Sequence, residues 1–188
     1  MADTNPLTEK IPYNLFREPL EYLFADHVRQ TAICALIYEL SDTLESRTPE
    51  DTLSEETRQK VEQVTHYLDE ELPLHIADEE LDILPSLRAR VRPEDGMDQI
   101  LEQLGEEHSQ DEKLSEELVS ALKSALRAPA SAPTQITDIA GRFAEAHCGH
   151  MKWENEVLLP LARKRLTPED QKQIGRTMAG RRNVPYPG

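Results

Sequence analysis

Two stretches of the chain repeat one pattern: "HIADEELDILP" (residues 75–85) and "HMKWENEVLLP" (residues 150–160). Both read His-x3-Glu-x4-Leu-Pro. A His and a Glu four residues apart lie on the same face of an α-helix and reach the same small volume. The residues leading into each motif show which face that is. Val61, Val64, Leu68, Leu72, His75, Glu79 and Ile83 recur at steps of three or four, as do Ile136, Ile139, Phe143, His147, His150, Glu154 and Leu158. Each His and Glu therefore continues an apolar stripe that should face a core.

The rest of the chain follows the same period, and no convincing strand alternation is present. A first stripe runs Leu20, Phe24, His27, Thr31, Cys34, Tyr38. A third runs Leu101, Leu104, His108, then Asp111 or Glu112, then Ser115. Proline, serine and glycine concentrate in "SRTPEDTLS" (46–54), "VRPEDG" (91–96) and "RAPASAPTQ" (127–135), which read as loops. In "LTPEDQ" (166–171), Thr167 suits a helix N-cap and Pro168 the first helical position. The reading is all-α, with helices at about 14–45, 54–90, 96–127, 135–165 and 168–179. Four long helices with short loops pack most simply as an up-down-up-down four-helix bundle, here with a short C-terminal fifth helix. The expected division is an N-terminal extension (1–13), the bundle (14–165) and a short helix with a loose tail (166–188). Pro85 and Pro160 are expected to kink or end their helices just beyond each motif.

All four stripes thus carry polar groups where apolar ones belong. A buried carboxylate is costly unless it is paired or bound to a metal. His27, His75, Glu79, His108, His150 and Glu154 are the expected metal ligands. His147 and Glu112 are possible additional ones, while His66 falls off its stripe and reads as a surface residue. Glu80 reads as a solvated charge. Asp26 and Glu107 each precede a ligand histidine, but neighbours on a helix point apart, so no role follows for them. Imidazoles and carboxylates together suit iron or manganese better than a closed, thiolate-rich zinc site. Two carboxylates can bridge a pair of ions, with positions left open for a small ligand.

The 188 residues suit one domain, and the net charge of −15 argues against nucleic-acid and anionic-membrane partners. No apolar run approaches the roughly 20 residues of a membrane helix. "MADTNPLTEKIPYN" shows no signal-peptide pattern. Cys34 and Cys148 form no CxxC pair and fit a reducing cytoplasm.

With a lone His, a His-x3-Glu, a second lone His and a second His-x3-Glu, residues 15–165 resemble the hemerythrin-like (HHE cation-binding) domain family. That resemblance implies two non-haem iron ions bridged by Glu79 and Glu154, with Mn or Zn as possible substitutes. It also implies a small ligand such as O2, peroxide or NO, in sensing, iron or oxygen handling, or stress defence. Oxygen-carrying members place a further His on the third helix, where this chain has Glu112, and that departure argues against simple reversible oxygen carriage. A sensor would need a separate protein partner, which the sequence does not identify. Two alternatives stand beside this reading: a di-iron redox enzyme of oxidase or peroxidase type, and a metal-free helical interaction module. The Glu-x-x-His of ferritin-like oxidases is absent, because the residues three before the six histidines are Phe24, Gln63, Leu72, Gly105, Ala144 and His147.

Overall fold

The computed structural model describes residues 5–48, 52–127 and 135–188, so residues 49–51 of the loop expected at 46–54 and 128–134 of the loop expected at 127–135 lie outside the described residues. All regular structure among the described residues is helical. A 3-10 turn (Tyr13–Arg17) leads into α1 (Pro19–Glu45). The helix expected from residue 14 is therefore interrupted at Glu18 (φ −127°), because a residue before proline is driven out of the helical region. Next come α2 (55–88), α3 (Met97–Arg127), α4 (136–165) and α5 (Pro168–Arg181).

Local chemistry explains the ends. The Ser54 hydroxyl caps α2 by accepting from the Thr57 N–H at 3.0 Å. Gly96 closes the turn before α3 at φ 68°, in the left-handed region that favours glycine. Thr167 and Asp170 form a reciprocal capping box at α5.

The two motif helices are not plain α-helices. α2 contains wide π-turns at Tyr67–Glu71 and Glu79–Ile83, and α4 contains one at Glu154–Leu158. In each, a leucine N–H bonds the carbonyl five residues back: Leu72 to Tyr67, Leu84 to Glu79 and Leu159 to Glu154. A proline follows every one of these leucines: Pro73, Pro85 and Pro160. A proline inside an α-helix clashes with the carbonyl four residues back and lacks the donor to bond it. The wider turn relieves that conflict. Pro85 and Pro160 consequently do not end their helices, which continue to Arg88 and Arg165.

α1 packs against α2 and α4, and α3 against α2 and α4. The apolar core is split in two. One cluster joins Ile33, Ile37, Leu44, Val61, Leu118 and Phe143. The other joins Phe16, Leu23, Ile83, Leu104, Leu158 and Ile174. Between them lies the layer that holds the motif residues.

The stripe of α1 differs from the expected one. Leu20, Leu23, His27, Gln30, Cys34 and Ile37 are buried, whereas Phe24, Thr31 and Tyr38 are exposed. On α3 the buried position is Asp111, and Glu112 is exposed.

The C-terminal segment is docked, contrary to the loose tail expected for 180–188. Val184 and Tyr186 pack on the second cluster. Arg181 pairs with Asp78 and, at 2.8 Å, with Asp82; Arg182 reaches Asp78 at 2.6 Å. α5 also lies tight on the Tyr13–Arg17 turn: a Cβ on Gly175 would stand 1.8 Å from the Phe16 carbonyl oxygen. Among the described residues, no helix is long and apolar enough to cross a membrane.

Candidate metal centre

Each long helix delivers its polar residues to the same depth. His27 comes from α1, His75 and Glu79 from α2, His108 from α3, and His150 and Glu154 from α4. All six are buried, and both carboxylates are fully so. They form two overlapping groups, His27–His75–Glu79–Glu154 and Glu79–His108–His150–Glu154, whose ligand-type atoms lie within 4.8 Å of one another. Glu79 and Glu154 belong to both groups.

The contacts inside the cluster are close but are not ordinary hydrogen bonds. Glu79 stands 3.5 Å from His75 Nε2, 3.3 Å from His108 Nε2 and 3.7 Å from His27 Nε2. Glu154 stands 3.4 Å from His27 Nε2 and 3.3 Å from His150 Nε2. Nε2 of His27, His75 and His108, and all four oxygens of Glu79 and Glu154, are buried without a hydrogen-bond partner. Seven such atoms facing one another would be costly in a finished core.

The other face of each ring is satisfied. His75 Nδ1 meets Asp26 Oδ2 at 3.0 Å, and His27 Nδ1 meets Asn155 Oδ1 at 2.8 Å. His108 Nδ1 meets Glu80 Oε1 at 2.9 Å, and His150 Nδ1 meets Glu107 Oε2 at 2.8 Å. An outer oxygen that accepts from Nδ1–H fixes the tautomer and aims the Nε2 lone pair inward, as metal-ligating histidines require. Each acceptor is the chain neighbour of one motif residue and serves the histidine of an adjacent helix. Asp26 on α1 serves α2, Glu80 on α2 serves α3, Glu107 on α3 serves α4, and Asn155 on α4 serves α1. Asp26, Glu80 and Glu107 are not the idle charges expected from the sequence, and Asn155, a neutral residue with no helical-stripe signal, completes the set.

The electrostatics reflect the crowding. Burial pushes the Glu154 carboxyl up, and the nearby Glu79 charge adds to that, against the pull of His150 and His27. Burial also opposes ionisation of Glu79, but His75, His108 and His27 together hold it well below the usual carboxylate range. Burial works against protonated imidazole at His75 and His150, yet their carboxylate neighbours raise them to about 9 and about 10. The paired carboxylates draw positive charge to the middle of the cluster, and without a cation the protons on His75 and His150 supply it.

Two sequence candidates are not brought into it. His147 is buried, but Asp111 Oδ2 and Gln30 Oε1, each at 2.6 Å, occupy its two ring nitrogens. Gln30 in turn donates to Asp26 Oδ2 at 3.0 Å, so a buried hydrogen-bonded chain runs from Asp111 through His147, Gln30 and Asp26 to His75. Glu112 lies outside both ligand groups. It lines a groove of about 500 Å³ between α2 and α3, together with Leu72, Ile76, Glu80, Gly105 and His108. The groove brings solvent to the edge of the centre. His66 is exposed.

The donor set is mixed nitrogen and oxygen, with no thiolate. Such a set suits iron, manganese or zinc, and sharing two carboxylates suits a pair of ions more than one. A family model described as "Hemerythrin HHE cation binding domain" matches residues 18–162. No curated protein matches the chain.

Proposed function

The chain belongs to the hemerythrin HHE cation-binding family, and on that premise we propose that it holds two iron ions inside an up-down-up-down bundle and meets O2, or a related small ligand such as peroxide or NO, there. His27 and His75 would hold one ion, His108 and His150 the other, and Glu79 and Glu154 would bridge them. The single observation that carries this reading is the set of seven unpartnered buried atoms, three imidazole nitrogens aimed inward by rings whose outer nitrogens are braced and the four carboxylate oxygens they face.

The split core supports the bundle topology: the N-terminal half of α1 and the C-terminal half of α2 share one apolar cluster, and the opposite halves share the other. The bound ions would supply reversible one-electron chemistry. The protein's own part is geometric. It fixes four imidazole tautomers, shields two carboxylates from water, and admits a small molecule along the groove that reaches His108. The unpartnered atoms also count against a metal-free interaction module, which would have no reason to leave two buried carboxylates unsatisfied.

Elemental analysis of protein produced with adequate iron tests the proposal, with close to two ions per chain expected. A chain that stays iron-free in an iron-replete medium, and melts at the same temperature with and without added ferrous iron, would overturn it.

A further inference from the structure

His147 is buried outside both ligand groups, yet each of its ring nitrogens meets an oxygen at 2.6 Å: Asp111 Oδ2 on one side, Gln30 Oε1 on the other. Atom types fix the direction of the bonds that follow. Asp26 Oδ2 already accepts from His75 Nδ1–H, so the end of the Gln30 amide 3.0 Å from it must be the NH2. Turned round, the amide would set its oxygen against an acceptor inside the core. With its NH2 spent on Asp26, Gln30 offers His147 an oxygen, and an amide oxygen only accepts. His147 therefore carries a proton on Nε2 and donates from it. The four cluster histidines do the reverse, turning Nε2 to the centre and giving Nδ1–H to an outer oxygen. His147 is built as a donor.

We propose that His147 is a positioning residue for His75, acting through Gln30 and Asp26; the proposal rests on the reading of His75 as a metal ligand. Of the four outer acceptors only Asp26 is buried, so protein donors, more than solvent, decide where its carboxylate points. The terminal torsion of an aspartate is broad and needs holding. Arg29 Nη1, 3.7 Å from Oδ1, is too far to do so by a hydrogen bond. Gln30 holds Oδ2 at 3.0 Å, on the same atom that His75 uses. His147 in turn keeps the Gln30 amide from turning, and Asp111 keeps the His147 ring in place. Each long helix supplies a link: Asp111 from α3, His147 from α4, Gln30 and Asp26 from α1, His75 from α2. Loss of the His147 bond would free the amide and leave the Asp26 Oδ2 atom with His75 as its one fixed donor. The direction in which the His75 ring presents Nε2 would then loosen. His147 also stacks near His150, with ring centroids 6.3 Å apart, which offers a competing route to the other half of the centre.

The test measures zinc affinity by chelator competition in the unaltered chain, His147→Phe, Gln30→Met and the double variant. Phenylalanine keeps a ring beside Phe143 and removes the donor; methionine keeps the length of Gln30 and removes both amide bonds. Each single change should weaken zinc binding about three- to tenfold, one step below the roughly 10- to 100-fold of losing an outer partner itself. The double variant should bind no more weakly than Gln30→Met, because both changes cut one route. Nitrogen-15 NMR of the histidine rings supplies a second readout. His147 should carry its proton on Nε2, and the His75 Nδ1–H should exchange slowly in the unaltered chain and quickly in Gln30→Met. If His147→Phe does not fold, Gln30→Met carries the test alone. If the unaltered chain takes up no zinc, the metal reading fails by itself, and the same ring signals recorded without metal decide the inference. Three results would overturn it: an unprotonated His147 Nε2, a His75 Nδ1–H as slow in Gln30→Met as in the unaltered chain, or a double variant weaker than Gln30→Met by the full His147→Phe factor, which would place the action of His147 on His150.

Discussion

Asp26 stands next to His27 in the chain, yet its carboxylate accepts from His75 on the neighbouring helix, at 3.0 Å. One residue along a helix turns a side chain by about 100°. That rotation carries Asp26 away from the partner beside it in sequence and towards the seam with α2. The same offset is used four times, so each helix both contributes to the centre and steadies the contribution of the next.

Asp26→Asn should therefore act on the centre through His75. The ring would lose its anionic acceptor, and metal affinity should fall about 10- to 100-fold while the fold is kept. Competition with a calibrated chelator measures this. An affinity equal to that of the unaltered chain would show that the His75–Asp26 bond has no part in binding.

Removing a shared carboxylate should do more. Glu79→Ala or Glu154→Ala takes away an oxygen pair common to both ligand groups and the negative charge that offsets repulsion between two cations. Metal content should fall from near two ions to one or fewer. His66→Ala and Glu112→Ala alter exposed positions outside both groups and should leave it unchanged. Elemental analysis of the four variants side by side decides the matter, and metal loss in His66→Ala with none in Glu79→Ala would reverse the face assignment.

Two glycines should respond oppositely to alanine. Gly175→Ala sets a Cβ 1.8 Å from the Phe16 carbonyl oxygen, which belongs to backbone and yields little. A loss of about 3 kcal/mol is expected, at the upper end for overpacking. Gly105 lies within α3 with no atom near its missing Cβ. Gly105→Ala should stabilise by about 1 kcal/mol, the helix-propensity difference. Denaturant midpoints of the two variants test both signs.

Acid should loosen the α5 junction before the core. Asp170 accepts from Arg90 at 2.9 and 3.0 Å and caps α5 through Thr167, which holds it down at about 2 from an ordinary 3.8. A lowered folded-state value means the stabilisation is complete above the ordinary value and is lost as pH falls towards 2. Asp170→Asn should therefore lower the melting temperature at pH 6 and make little difference near pH 2. Equal effects at both pH values would contradict this.

On α2 and α4 the cluster residues were legible because they continue long apolar stripes: the face that buries Leu68 and Leu72 also buries His75 and Glu79. Their outer partners were not, since knowing what Glu80 or Glu107 faces requires knowing which helix lies alongside. α1 was misread for a different reason. Leu23 and Phe24 are both apolar, and stepping from Leu20 by four instead of three selects the exposed one. The prolines misled because a lone proline rule takes an α-helix for granted, and the π-turn offers the chain another way through. The tail was missed because its anchors, Asp78 and Asp82, lie about a hundred positions upstream of Arg181 and Arg182.

The divided core has a consequence for how the molecule breathes. Two dry clusters, one at each end of the bundle, are joined through a waist of polar side chains. Each end can open as its own cooperative unit if the waist is weak, and the two must open together if it is strong. Amide hydrogen exchange would report the difference. Stripped of cations, the half that carries α5 and its arginine clamps should keep slow amides while the opposite half exchanges sooner. Loaded with cations, both halves should converge on a single, slower exchange rate, so that the centre acts as the clasp that turns two half-bundles into one.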